Sequence, residues 1–90
     1  MADSKSLTVS VVAADHEVWS GEATQIVART TEGEIGILAG HEPILAVLAA
    51  GEVRITPREG AVIVANAADG FLSVQNDTVT IVAGQATLVS

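Results

Sequence analysis

From Leu7 to Ala13 the chain alternates, setting Leu7, Val9, Val11 and Ala13 on one side of an extended segment and Thr8 and Ser10 on the other. A period of two marks a strand with one buried face. Ala14, Asp15 and His16 make a polar turn. Val18 and Trp19 then begin a short strand that stops at Ser20 and Gly21, and extended structure resumes from Thr24 to Thr31. The polar run Thr31, Glu32, Gly33, Glu34 reads as a turn whose glycine can take positive φ, leading into Ile35, Gly36, Ile37 and Leu38, which Gly40 closes. Ile44 to Ala50 is fenced by Pro43 and Gly51 and is too short for a stable helix, so it reads as a strand or a single turn.

The second half repeats the pattern. Glu52, Val53, Arg54, Ile55 and Thr56 alternate strictly, with Val53 and Ile55 inward, and Pro57 to Gly60 supplies a turn. Ala61 to Ala67 is nearly continuously apolar. Gly70 to Val74 is a further short strand, joined through Gln75, Asn76 and Asp77 to Thr78–Ala83 in what looks like a hairpin, and Thr87 to Ser90 ends the chain. The count is roughly ten short strands separated by Gly, Asp, Asn and Pro turns, the spacing of an all-β sandwich. Segments apolar at successive positions suit the centre of two packed sheets, and alternating ones suit antiparallel pairing with one wet face.

Composition sharpens this picture. Ninety residues without a linker-like stretch make one domain, 1–90, with residues 1–6 expected to form a flexible tail. One Trp, one Phe, one Met and no Tyr leave the core to Val, Ile, Leu and Ala, of which Val and Ile favour strands. The absence of Cys excludes disulfides, thiolate metal sites and cysteine nucleophiles. Four basic against eleven acidic residues give a net charge of −7, which disfavours nucleic acid and direct binding to anionic lipid. Neither a signal peptide nor an apolar run long enough for a membrane helix is present, and the chain reads as cytoplasmic.

Reactive chemistry is sparse. His16 and His41 are the only imidazoles, in separate turns beside Glu17 and Glu42, and a shared metal would lack a defined third ligand. A small hydrolytic or ligand-binding sandwich using these two residues is the alternative from a different functional class. Ser20 and Ser73 lack the frame of a nucleophile elbow. Glu32 and Glu34 lie two apart around Gly33 and read as a solvated turn. Gly33, Gly36 and Gly40 do not form a phosphate cradle, because no Lys follows them and Glu32, Glu34 and Glu42 would repel phosphate. Each of these glycines reads as a turn, a bulge or a close backbone approach, and Gly33, Gly36, Gly40 and Gly70 are expected to be structural turns.

Glu32 to Leu45, EGEIGILAGHEPIL, closely resembles the most recognisable block of the F-type ATP synthase epsilon subunit family, usually EGEIGILPGHAPLL. VWSG at Val18–Gly21, GEVRI at Gly51–Ile55, DGFLSV at Asp69–Val74 and TVTIVAGQA at Thr78–Ala86 resemble further family blocks, in the same order and at similar spacing. Ala39 stands where the family usually has Pro, Asp69 replaces the first Gly of GGF, and Gly84 replaces the Asp of LAD. Family members commonly continue into a C-terminal pair of helices, and the present sequence shows no such helical hairpin.

The resemblance implies a non-catalytic bacterial central-stalk subunit that couples gamma to the c-ring during proton-driven ATP synthesis, peripheral on the cytoplasmic face of the cell membrane. It implies no cofactor and no ATP bound by this chain. By position in the motif, Glu34 would face the polar loops of the c-ring, and His41, Pro43 and Leu45 would meet gamma. A carboxylate in a polar loop and an adjacent Pro and Leu are chemically suited to such contacts.

Overall fold

The computed structural model describes residues 6–89, so the expected tail falls outside it except for Ser6, whose hydroxyl donates to Glu22 Oε1 at 3.0 Å. The described residues contain seven strands and no helix: β1 (Leu7–Val12), β2 (Glu17–Thr30), β3 (Gly33–Leu38), β4 (Ile44–Val47), β5 (Gly51–Pro57), β6 (Ile63–Gln75) and β7 (Thr78–Leu88). The expectation of an all-β sandwich holds, and the expectation of roughly ten strands is corrected to seven. Three pairs of short segments are each one long strand. β2 runs through Ser20 and Gly21, β6 through Asp69 and Gly70, and β7 through Gly84 and Gln85.

These long strands belong to both layers. The first part of β2 pairs with β1, from Leu7↔Ala23 to Val12↔Glu17, whereas its second part pairs with β3 and β5. The first part of β6 pairs with β5 and its second part with β4, while β7 accompanies it throughout and adds a parallel pairing to β1. One layer therefore has the order β4–β6–β7–β1–β2 and the other β3–β2–β5–β6–β7. The circuit β1–β7–β6–β5–β2 closes back on β1, leaving β3 and β4 as the two strands with open edges.

Local chemistry sets each crossing. On β2 the register against β5 shifts between Ala23 and Gln25, so that Thr24 is an extra residue that bends the strand, and its hydroxyl donates to Thr56 O at 3.3 Å. On β6 the bend falls at Asp69, at φ 62°, and Gly70. A Cβ on Gly70 would lie 1.7 Å from Val82 O and 2.6 Å from Ala83 Cα, so only glycine lets β6 and β7 approach as they cross. Gly70 is thus a close approach within a strand and not a turn. Gly36 is also mid-strand, opposite Val27, and not a turn, whereas Gly33 opens β3 and Gly40 lies in the turn just past its end, with φ 119° and 87°.

The alternating positions meet between the layers. Leu7, Val9, Val11 and Ala13 are buried, as are Val53 and Ile55, and they pack with Ile26, Ile37, Leu72, Val74, Val79 and Ile81 in one aliphatic core. The joint at Gln75–Thr78 is a two-residue hairpin, with Asn76 and Asp77 at φ 51° and 59°, the conformation of a type I′ turn. Ile44 to Ala50 resolves as the short strand β4 followed by a bridge between Leu48 and Thr30.

Candidate interaction surfaces

The outward side of the first layer is built from alternating positions on its five strands, of which β4, β6, β7 and β1 form one continuous stretch. Leu45 lies across from Ser73 and Val47 from Phe71; Phe71 continues to Val82 and Ser73 to Thr80, which pair onward with Val12 and Ser10. Four of the five segments of this sheet face, Ile44–Val47, residues 71–75, residues 78–82 and Leu7–Val12, contain no Asp, Glu, Lys or Arg, and its charge is confined to the β2 edge, at Glu17 and Glu22. In a chain of net charge −7 this is a marked segregation. Leu45 is 73% exposed, Val47 57% and Phe71 43%, so the β4 side of the face presents an apolar patch that grades into hydroxyl groups on β7 and β1. Contiguous exposed apolar surface of this kind marks contact sites.

Beside this patch runs the β3–β4 loop. His41 N–H donates to Leu38 O at 3.1 Å, closing a turn around Gly40, and His41 Nδ1 lies 2.7 Å from Glu42 O. Gly40 N–H donates to the Asp77 carboxylate at 2.7 Å. Pro43 is exposed immediately ahead of β4.

Glu34 is the second residue of β3, exposed and opposite Arg29 of β2. The preceding turn is fixed by the buried Thr30, whose hydroxyl donates to Gly33 O at 2.7 Å and accepts from Glu32 N–H at 3.2 Å. Glu34 borders two hollows. One, on the outward side of the second layer, is lined by Val27, Arg29, Gly51, Glu52 and Arg54, with an Arg54–Glu52 ion pair at 3.5 Å. The other is the groove between the open edges of β3 and β4, where Glu34 shares the lining with Ile35, Ile44, Leu45 and Val47. The fold therefore brings Glu34 and Leu45 to one groove and leaves His41 and Pro43 outside it. Val47, Phe71 and Thr30 were not singled out in the sequence, because their roles depend on strand pairings that a local pattern does not reveal.

The two histidines do not converge. His16 O accepts from Ala13 N–H just past the end of β1, and its ring lies 2.6 Å from Asp15; this hydrogen bond, then the imidazolium charge, holds the Asp15 carboxyl below the ordinary carboxylate range. His41 sits beside Gly40, which is tied through Asp77 to Thr8 at the other end of β1. The separation is therefore about the length of that strand, roughly 17 Å. Among the described residues no three His, Cys, Asp or Glu side chains gather as metal ligands.

A family model described as ATP synthase, Delta/Epsilon chain, beta-sandwich domain, matches residues 6–89. The chain belongs to this family. Relatives of the delta/epsilon sandwich family include the ATP synthase epsilon chain of Streptomyces griseus, 49% identical over 82 residues that make up 91% of this chain and 66% of that one. The epsilon chain of Rhodococcus erythropolis is 53% identical over 81 residues, 89% of this chain and 66% of that one. The chain thus spans just under two thirds of these relatives, whereas it covers 90% of the epsilon chain of Micrococcus luteus, at 48% identity. Among solved structures, a chain of the Euglena gracilis mitochondrial ATP synthase OSCP/F1/c-ring assembly superposes with a TM-score of 0.86 at 26% identity, over 97% of this chain and 57% of that one. A chain of the Tetrahymena thermophila ATP synthase central stalk and c-ring shares the fold, with a TM-score of 0.76 at 17% identity over 94% of this chain and 68% of that one.

Proposed function

We propose that this chain is a non-catalytic central-stalk subunit of a bacterial F-type proton-translocating ATP synthase, coupling gamma to the c-ring at the cytoplasmic face of the membrane. The observation that carries this reading is the charge-free stretch of the first layer's outward face over β4, β6, β7 and β1, with Leu45, Val47 and Phe71 exposed at one side, in an otherwise acidic member of the delta/epsilon family. A coupling subunit needs a dry, wide contact on one partner and a second contact on another. The charge-free face supplies the first, toward gamma, with His41 and Pro43 at its border. Glu34 supplies the second: an exposed carboxylate at the head of β3 can pair with a cationic group on a c-ring loop. Because Glu34 and Leu45 line one groove, the two contacts adjoin. Torque passes through the closed strand circuit and not through any reactive group.

The test is capture from membranes of the source organism with the tagged chain as bait. Recovery of gamma in near-equal amount, together with the c-ring, is expected. Recovery of neither would remove the proposal. Nothing favours the alternative of histidine-based hydrolysis, since the two imidazoles stand at opposite ends of β1.

A further inference from the structure

The β3–β4 loop, residues 39–43, carries two of the proposed gamma-contact residues, yet little holds it in place. Its internal support is the turn from His41 N–H to Leu38 O and the contact of His41 Nδ1 with its neighbour Glu42 O, both local, and Ala39 lacks the φ restriction of a proline. What fixes the loop comes from a distant part of the chain. Asp77 Oδ1 accepts from Gly40 N–H at 2.7 Å, a short charge-assisted hydrogen bond across 37 positions. Asp77 is itself held on two sides. It occupies the second place of the β6–β7 hairpin turn at φ 59°, and its carbonyl accepts from Thr8 N–H at 2.8 Å at the start of β1. One residue therefore joins three segments: the contact loop, the tip of the β6–β7 hairpin and the first residues of β1. The last two adjoin the charge-free face.

We propose that Asp77 is the positioning residue of the gamma contact, its carboxylate fixing residues 39–43 against the charge-free face so that His41 and Pro43 are presented together with Leu45 and Phe71. The inference rests on the reading of that face as the gamma contact. The role it assigns is to position the contact loop. The requirement is specific. The side chain must offer an oxygen to Gly40 N–H from a backbone at positive φ, which Asp and Asn do readily and most residues do not. Glycine suits the backbone but offers no acceptor.

The experiment compares Asp77→Gly with Asp77→Asn in the full chain, with Leu45→Ala as the reference for the contact itself. Amide hydrogen exchange at Gly40 should speed up about ten-fold in Asp77→Gly, the scale of losing a hydrogen bond to a charged group, and return toward the parent rate in Asp77→Asn. Titrated into ATP synthase depleted of this subunit, Asp77→Gly should need several-fold more protein for half-saturation with its thermal midpoint unchanged or raised, and Asp77→Asn should recover most of the loss. Faster exchange in Asp77→Gly with unaltered assembly, while Leu45→Ala weakens assembly, would overturn the role of Asp77 and leave the contact face standing. Unaltered exchange at Gly40 in Asp77→Gly would overturn it too. If Leu45→Ala also assembles as the parent does, both the contact face and the inference fall.

Discussion

The two outward sheet faces are made by the same backbone, since β2, β6 and β7 each run through both, yet their chemistry is opposed. The first layer shows Leu45, Val47, Phe71, Val82 and Val12 among Ser and Thr across β4, β6, β7 and β1, with charge only at its β2 edge, on Glu17 and Glu22. The second shows Arg29 and Arg54, two of the four basic residues of the chain, among Glu34 and Glu52. A charged and mixed face stays solvated cheaply and binds, if at all, through contacts that salt weakens. A charge-free face with exposed Leu, Val and Phe gains by being covered, and its contact should be nearly indifferent to salt.

The comparison breaks most completely where the strands pass between layers. Replacing Gly70 with Ala would drive a Cβ into Val82 O and Ala83 Cα, both backbone atoms that cannot step aside. A loss of about 3 kcal/mol in urea unfolding is expected. Gly36→Ala is the control, because a Cβ there meets nothing within 4 Å, and its effect should stay within about 0.5 kcal/mol.

Next in size is the truncation of Leu45, 73% exposed and outside the core cluster. Leu45→Ala should leave the unfolding midpoint nearly unchanged and weaken assembly with a gamma-containing complex by about 2 kcal/mol, equally at low and high salt. Glu34→Lys should cost about 1 kcal/mol of assembly free energy at low ionic strength, with the loss fading in high salt. Parent-like assembly of Glu34→Lys at low salt would leave the second face without its proposed partner.

The smallest effect lies off both faces, in the β1–β2 turn. His16 lowers the Asp15 pKa from its ordinary 3.8 by hydrogen bond and charge. A carboxylate with a depressed folded-state pKa stabilises the fold above its unfolded value and loses that contribution as pH falls through the folded one. The difference in thermal midpoint between the parent and Asp15→Asn should therefore be small at pH 6 and vanish in strong acid, because the group is fully exposed. A difference that grew on acidification would reverse the sign of this account.

Much of this was legible in the residues themselves. The alternation of Leu7, Val9, Val11 and Ala13, and of Val53 and Ile55, marked their buried faces correctly because burial on one side of a strand is a local, period-two property. Asn76 and Asp77 announced their hairpin for the same reason, through their own tolerance of positive φ. The crossings were not legible. Ser20–Gly21, Asp69–Gly70 and Gly84–Gln85 carry turn-forming residues, and the chain uses them to bend or twist a continuing strand, which only the pairing on either side discloses. The same limit hid Val47 and Phe71, whose exposure follows from a cross-strand partnership between distant segments. Glu34 and Leu45, eleven positions apart, share a groove only because β3 and β4 end their layers on the same side.

The absence of cysteine permits a direct measurement of which face is covered. A single cysteine is introduced at Val47 on the first face, or at Gln25 on the exposed side of the second, and maleimide labelling is followed in the free chain and in the assembled ATP synthase. Val47→Cys should label readily in the free chain and be protected on assembly, whereas Gln25→Cys should label alike in both. Equal labelling of Val47→Cys before and after assembly, or protection of Gln25→Cys alone, would contradict the assignment of the charge-free face to gamma.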